Sequence, residues 1–324
     1  MNDAVLTCPS RVSQTIAPLR IHVSPFMRSA FLKLANLILE IYALIFARVT
    51  FRNWNAWLVQ LGFRGLGVLN HRTDFLSGER HLIHSRLRRF LGTDTPVIFD
   101  VGANEGNYTV ELTKEFPKGK IFAFEPHPAT CGRLQRRIAD RAHVRHAALG
   151  SSVGKTILYD SGNGHGSGHA SIHGQVLRSV HKIDNPTAVD VEMDTIDHFS
   201  EANGIDIIDF LKIDTEGNEL EVLKGAARLL KAGRVRFIQF EFNEMNTVSR
   251  VFLADFFSIL PNHTLFRLLP RDFLPIENVP LTREVFAFQN LLAVPDGEIE
   301  RCELPKLSWF SRPPSATDAR SEWR

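Results

Sequence analysis

The sequence predicts an α/β fold: a mostly parallel, twisted sheet with helices on both faces, preceded by an N-terminal helical extension. Three observations lead there. From residue 97 onward, short apolar runs such as VIFDV, KIFAF and FLKID alternate with amphipathic stretches of helical period. These runs are continuously apolar, as strands covered on both faces are. The first of them ends in DVGANEGNYT, a glycine-rich turn that opens a helical pattern. In doubly wound sheets such a turn meets a bound ligand.

Taken in order, residues 1–29 carry Pro9, Pro18 and Pro25 with no sustained period, and are expected to be a loose leader. Residues 30–95 read as the helical extension. Within it, the span 31–47 (FLKLANLILEIYALIFA) is about as long as a short membrane crossing, but Lys33, Asn36 and Glu40 interrupt it. Phe31, Leu34, Ile38, Ile41 and Ile45 recur at helical spacing. This is an amphipathic helix, packed on the main domain or lying in a membrane interface, with packing the first expectation. NWNAWLVQLGF and GERHLIHSRLRRFL are two further helices, Ser77 being the expected N-cap of the second.

Residues 96–296 form the α/β domain. Its expected strands are VIFDV, KIFAFEP, VRHAALG, KTILYDS, FLKIDTEG, VRFIQFEFNE, TLFRLL and VFAFQNLLAV; its helices cover 107–116, 130–140, 219–230 and VFLADFFSIL. Residues 297–324 are polar and proline-bearing, an expected flexible tail.

Composition narrows the partners. The 324 residues are 44% hydrophobic with a net charge of +2, so no nucleic-acid signature is present. The first 96 residues hold 12 Lys/Arg against 5 Asp/Glu, a net +7, which leaves −5 for the rest. That basic part suits an anionic surface or substrate, although a solvated arginine face is the first reading. Cys8, Cys131 and Cys302 are too isolated for a disulfide framework or a zinc site, which favours a reducing compartment. No secretory signal is read. The expected location is cytoplasmic, with peripheral contact at the inner membrane face through residues 31–47 as the variant.

Three acidic strand ends converge where such a sheet binds its ligand. The first is Asp100 with Gly102, Asn104 and Gly106, whose glycines let backbone approach a ligand closely. The second is Glu125, 23 residues past Gly102, placed to accept both hydroxyls of a ribose. A nucleoside-bearing cofactor follows. The turn is not G-x-G-x-x-G, and Asp100 would repel a pyrophosphate, so a dinucleotide is disfavoured. A carboxylate there suits a cationic ligand, such as the amino group and sulfonium of S-adenosylmethionine. The third is FLKIDTEGNELEVLKGA, with Asp214 ending a buried strand and Glu216 in the following turn. Glu216 and Glu219 read equally well as acids capping the next helix.

These segments (FDVGANEGNYT, FAFEPHP, AALG, MDTIDHF, FLKIDTEGNELEVLKGA and FEFNE) resemble, in order and spacing, the FkbM family of S-adenosylmethionine-dependent methyltransferases. The likeness runs from residue 97 to 294, with SGE at 77–79 and HASIH at 169–173 similar to segments of some bacterial members. It implies a Rossmann-like class I methyltransferase fold and O-methylation of a hydroxyl on a sugar, glycan or secondary metabolite. It places Gly102, Asn104, Gly106 and Tyr108 around the methionine part, Glu125 on the ribose and Ala148 beside the adenine.

The acceptor hydroxyl needs a group to take its proton. Asp214 is the first choice, Glu241 the second and Glu216 the third. Asp214, Glu241 and Asn243 also form a hard-oxygen set that a divalent cation would accept, a less favoured reading. The segment SGNGHGSGHASIHGQ, with five glycines and three histidines, is too glycine-rich for a metal-binding helix and reads as a loop closing over the acceptor, His169 or Ser171 touching it. The rivals are a silent cofactor-binding module, a Rossmann oxidoreductase and an N-methyltransferase. Asp-Thr-Glu-Gly stands where the last would carry an Asn-Pro-Pro-Tyr-like turn. Oligomeric state is not legible.

Overall fold

A computed structural model describes residues 25–161, 166, 168–277 and 283–305, and the chain divides into two units, Met1–Val59 and Gln60–Arg324. Most of the expected leader, the Phe31 side chain, His165 and the chain beyond residue 305 lie outside the described residues.

In the first unit, helix Pro25–Phe46 is followed by a tight turn, Val49–Phe51, and the start of helix Arg52–Gly65. Tyr42 donates to Asn55 Oδ1 and Asn55 donates to the Phe46 carbonyl, fixing that corner. The stripe read from the sequence is not buried. Leu34, Ile38, Ile41 and Ile45 are 47–58% exposed, and Leu44 is 77% exposed. No single helix among the described residues is long and apolar enough to cross a membrane.

In the second unit an eight-stranded sheet has the order β10-β9-β11-β8-β7-β1-β2-β3. The strands are β1 (Val97–Val101), β2 (Lys120–Phe124), β3 (His143–Arg145), β7 (Ile208–Ile213), β8 (Val235–Phe242), β9 (His263–Leu268), β10 (Phe273–Pro275) and β11 (Gln289–Pro295). Those from β3 to β8 in this order pair in parallel, and β11 inserts antiparallel between β8 and β9. The chain winds outward from β1 to β3 and then returns to the other side of β1 at β7. The switch point therefore lies between β1 and β7, where ligands of such sheets bind.

Continuous apolar strands need cover on both faces, and two cores supply it. Phe99, Phe122, Phe124, Leu211 and Phe240 pack with Phe199 and Phe256 on one side. Ile98, Phe210, Phe237 and Leu292 pack with Leu87, Phe90 and Phe116 on the other. The Rossmann-like α/β sheet expected from the sequence is the one observed.

Four local expectations fail, each for a physical reason. KTILYDS is not a strand of the main sheet. As β5 (Gly154–Asp160) it pairs antiparallel with β6 (Thr187–Asp194), and β4 (Ala148–Leu149) completes a separate three-stranded sheet. Only Leu158 and Asp160 of β5 are buried, the pattern of a one-sided antiparallel strand. The helix expected over 219–230 breaks into Glu219–Lys224 and Ala227–Lys231 at Gly225, a poor helix former that the close approach of Gly150 requires, since a Cβ would sit 2.0 Å from its carbonyl oxygen. Ser77 does not cap its helix. Gly78 is the N-cap, and the Ser77 hydroxyl instead donates to Glu79 Oε2 at 3.1 Å. Finally, the polar stretch after residue 296 is packed as far as residue 305: Cys302 and Leu304 are buried, and Arg86 holds the Cys302 carbonyl at 2.7 Å.

Candidate functional site

The turn after β1 passes within contact of the turn after β7. Gly102 has φ +79°, and a Cβ there would lie 1.7 Å from the Asp214 carbonyl oxygen. Only glycine permits this crossing. It places Asn104, at φ +49°, over the end of β2, where its backbone N–H donates to Glu125 Oε2 at 2.9 Å. The His127 N–H donates to Glu125 Oε1 at 2.8 Å. Burial pushes the Glu125 carboxyl up to about 7, against the two N–H donors that favour its ionised form.

Two cavities meet at this crossing. The first is lined by Gly102, Asn104, Glu125, Ala148, Leu149 and Leu158, by Gly168, Ala170 and Ile172 of the glycine-rich segment, and by Asp214, Glu216 and Asn218. The second, of about 410 Å³, is lined by Glu79, Asn107, Tyr108, Lys212, Asp214 and Glu241, again with Gly102 and Asn104. Gly102, Asn104 and Asp214 are common to both. The first combines a buried carboxyl, Glu125, with the apolar side chains of Ala148, Leu149 and Leu158, the needs of a nucleoside.

Lys212, unremarked in the sequence, organises the second cavity. It is 5% exposed and sits on β7 opposite Asp100 of β1. Its ammonium lies 3.1 Å from Asp214 Oδ2 and 3.6 Å from Asp100 Oδ1, over the face of the Tyr108 ring. Burial alone would lower its pKa, but Asp214, Asp100 and Glu79 together raise it, so it stays charged. Gln239 donates to Glu79 Oε1 at 3.0 Å, and Tyr108 donates to Gln239. Burial, then Asp214, Glu79 and Glu216, holds the Glu241 carboxyl well above the usual carboxylate range. Burial likewise raises Glu79. One ammonium thus faces four carboxyl groups, two of which retain protons more strongly than usual. A lysine inside a continuous apolar strand was the signal available for it, since such a charge requires a buried partner.

Several expected site residues stand elsewhere. Asp100 is fully buried, accepts from Thr109 Oγ1 at 2.6 Å and pairs with Lys212, and it lines neither of these two cavities. Gly106 starts the following helix at φ +80°, facing Leu134 and Ile138, and is a packing glycine. Tyr108 belongs to the second cavity, not the first. Ser171 is fully buried and donates to the Glu216 carbonyl at 2.8 Å, a structural bond rather than a contact with an acceptor. His169 lies 3.7 Å from Glu216 and lines neither cavity. The segment around it walls the first cavity, not the second. Capping of the turn after β7 falls to Glu219, whose Oε1 accepts the Thr215 and Gly217 N–H groups. Glu216 faces the first cavity at φ +55°, its carboxyl pushed up to about 7 by burial.

The set Asp214, Glu241 and Asn243 is poorly disposed for a magnesium ion: the Asn243 carboxamide oxygen accepts the Met245 N–H at 2.9 Å, and the Lys212 ammonium already lies beside Asp214 Oδ2.

Comparison with known proteins identifies the family. Residues 100–264 match the methyltransferase FkbM domain. A 2-O-methyltransferase, NoeI, of Sinorhizobium fredii is 25% identical over 201 residues, 58% of this chain and 81% of its own length. A hexuronic acid methyltransferase, AglP, of Haloferax volcanii is 29% identical over 170 residues, 52% of this chain and 64% of its own. Among solved structures, methyltransferase FkbM of Methylobacillus flagellatus is 18% identical, covering 62% of this chain and 44% of that one with a TM-score of 0.38. The matched domain takes in half of the chain and both turns of the switch point, and the protein belongs to the FkbM family of methyltransferases.

Proposed function

We propose that the protein transfers a methyl group from S-adenosylmethionine to a hydroxyl oxygen, with a sugar or glycan as the first acceptor class and a secondary metabolite as the second. The observation that carries this reading is the pair of cavities joined at Asp214, one suited to a nucleoside and one lined by proton-holding carboxyl groups. The two relatives, one named for 2-O-methylation and one for hexuronic acid, support oxygen as the atom methylated. When bound, S-adenosylmethionine supplies a methyl carbon activated by a sulfonium. Glu125 would accept the ribose hydroxyls, and Ala148 and Leu158 would flank the base. Asp214, one-third exposed at the junction, would orient the acceptor hydroxyl and take its proton while Lys212 holds the carboxylate in place. Glu241, its carboxyl held well above the usual range, would hydrogen-bond another acceptor oxygen. Retention of this carboxyl set argues against a silent module, and the Asp-Thr-Glu-Gly turn argues against nitrogen as the acceptor atom.

Calorimetric titration tests the cofactor. S-adenosylmethionine should bind and NAD should not, and Glu125→Ala should weaken binding by at least tenfold. Because the ionised carboxylate is the better hydroxyl acceptor, affinity should fall as pH drops through about 7, and Glu125→Gln should remove that dependence. Binding of neither ligand by folded protein would overturn the enzyme reading.

The first unit carries a second part of the proposal, contact with an anionic membrane face through residues 31–47. Exposed Leu37, Ile38, Leu44 and Ile45 next to Arg48 and Arg52, with Trp54 and Trp57 beyond, have the composition of an interfacial helix. Co-flotation with anionic vesicles should be lost in the double substitution Leu37→Glu, Leu44→Glu. Flotation unchanged in that variant would end the idea.

A further inference from the structure

We propose that His169, His181 and Glu216 form a binding site for a borderline divalent transition-metal ion of the zinc class. The three come from separate segments: the glycine-rich stretch before β6, the loop after helix Gly174–Ser179, and the turn after β7. His169 Nδ1 lies 3.7 Å from Glu216 Oε1, His181 Nε2 lies 4.0 Å from Glu216 Oε2, and one ligand atom from each lies within 4.8 Å of the others. A tetrahedral zinc ion with bonds of about 2.0–2.1 Å separates its ligand atoms by roughly 3.4 Å. From the present spacing the ligand atoms must close by about 0.3 Å for the shortest pair and by at most about 1.4 Å for the widest. Two imidazoles and one carboxylate are the donor set such ions take, whereas a hard cation such as Mg²⁺ prefers oxygen alone.

Two further observations separate this group from an ordinary surface ion pair. Among the described residues, His181 Nε2 and Glu216 Oε2 are buried without a hydrogen-bond partner, 4.0 Å from each other, which is too far for a direct bond. An ion between them would satisfy both. Glu216 also holds a left-handed backbone, φ +55°, that a non-glycine residue adopts only when its surroundings impose it. The imidazole rings already lie side by side, centroids 4.2 Å apart and 27° between planes, so both can present nitrogen to one point. His169 is 58% exposed, which leaves an entry path and a place for a water as fourth ligand.

The site is distinct from the carboxyl group cluster around Lys212. Its consequence is mechanical: an ion would tie the stretch holding Gly168, Ala170 and Ile172, which walls the first cavity, to the turn that carries Glu216. That consequence rests on the reading of this cavity as the cofactor site; the metal site itself does not.

The test uses full-length protein, stripped with chelator and dialysed, titrated separately with Zn²⁺ and Mg²⁺ in the absence of cofactor. One Zn²⁺ per chain should bind, with no matching signal from Mg²⁺. Co²⁺ should bind in its place and give the visible absorption of a tetrahedral site. His169→Ala, exposed and therefore harmless to folding, should weaken Zn²⁺ by at least tenfold, and His181→Ala should do the same. Zn²⁺ weaker than about 1 mM, or bound equally well by the His169→Ala/His181→Ala double variant, overturns the proposal. Cofactor titrations are read independently, so failure here leaves the methyltransferase reading untouched.

Discussion

Asp214→Asn should reduce methyl transfer by a factor of roughly 10²–10⁴ while leaving S-adenosylmethionine affinity within about threefold. The substitution keeps shape and one oxygen facing Lys212 Nζ, now 3.1 Å from Asp214 Oδ2, so packing at the junction should hold. It removes the proton acceptor at a point common to both cavities. Glu241→Gln is the control. Because burial and its acidic neighbours hold the Glu241 carboxyl well above the usual carboxylate range, the amide replaces the poorer proton acceptor of the two, and the loss should be under tenfold. Single-turnover rates with a sugar acceptor, beside calorimetry for the cofactor, separate the two. If Glu241→Gln proved as damaging as Asp214→Asn, or Asp214→Asn retained full rate, Asp214 would not be the base.

How much of this was legible beforehand depends on which kind of information each residue carries. Continuous apolar strands dictated a covered parallel sheet, and the turn at Gly102 with Glu125 one strand later located the switch point. Residue type and spacing singled out Glu125, the family resemblance added Asn104 and Ala148, and all three line one cavity. What spacing does not fix is direction. Asp100 reads as a ligand-facing acid at a strand end, but its register partner across the sheet is Lys212, and a buried ammonium claims the nearest carboxylate. Ser171 and His169 lie in a stretch whose glycines exclude a helix yet say nothing about which cavity it covers. Gly102 and Gly106 look equivalent in DVGANEGNY. One abuts the backbone of another strand end and the other a pair of aliphatic side chains, a distinction that exists only in three dimensions.

That distinction yields the second large effect. Gly102→Ala should destabilise the fold by more than about 4 kcal/mol, the range reserved for severe overpacking, and abolish cofactor binding in whatever folded protein survives. A Cβ at position 102 would lie 1.7 Å from the Asp214 carbonyl oxygen and 2.8 Å from its carbonyl carbon. Both are backbone atoms, so no rotamer change relieves the overlap. The Asp214 N–H is meanwhile held by the Val101 carbonyl at 2.9 Å, so the two turns cannot part without breaking the β1–β7 register. Two other glycines with positive φ set the scale. At Gly204, φ +62°, nothing lies within 4 Å of the added carbon, so alanine should cost only the left-handed penalty, about 1 kcal/mol. At Gly106 the nearest atom is Leu134 Cδ1 at 2.5 Å, the end of a side chain that can yield, and the loss should be intermediate. Thermal unfolding of the three variants should therefore rank 204, 106, 102 in increasing damage. Equal losses at 102 and 204 would mean that backbone strain alone sets the cost. The close crossing that joins the two cavities at Asp214 would then have to relax without consequence, and the shared junction could not be what aligns acceptor and cofactor.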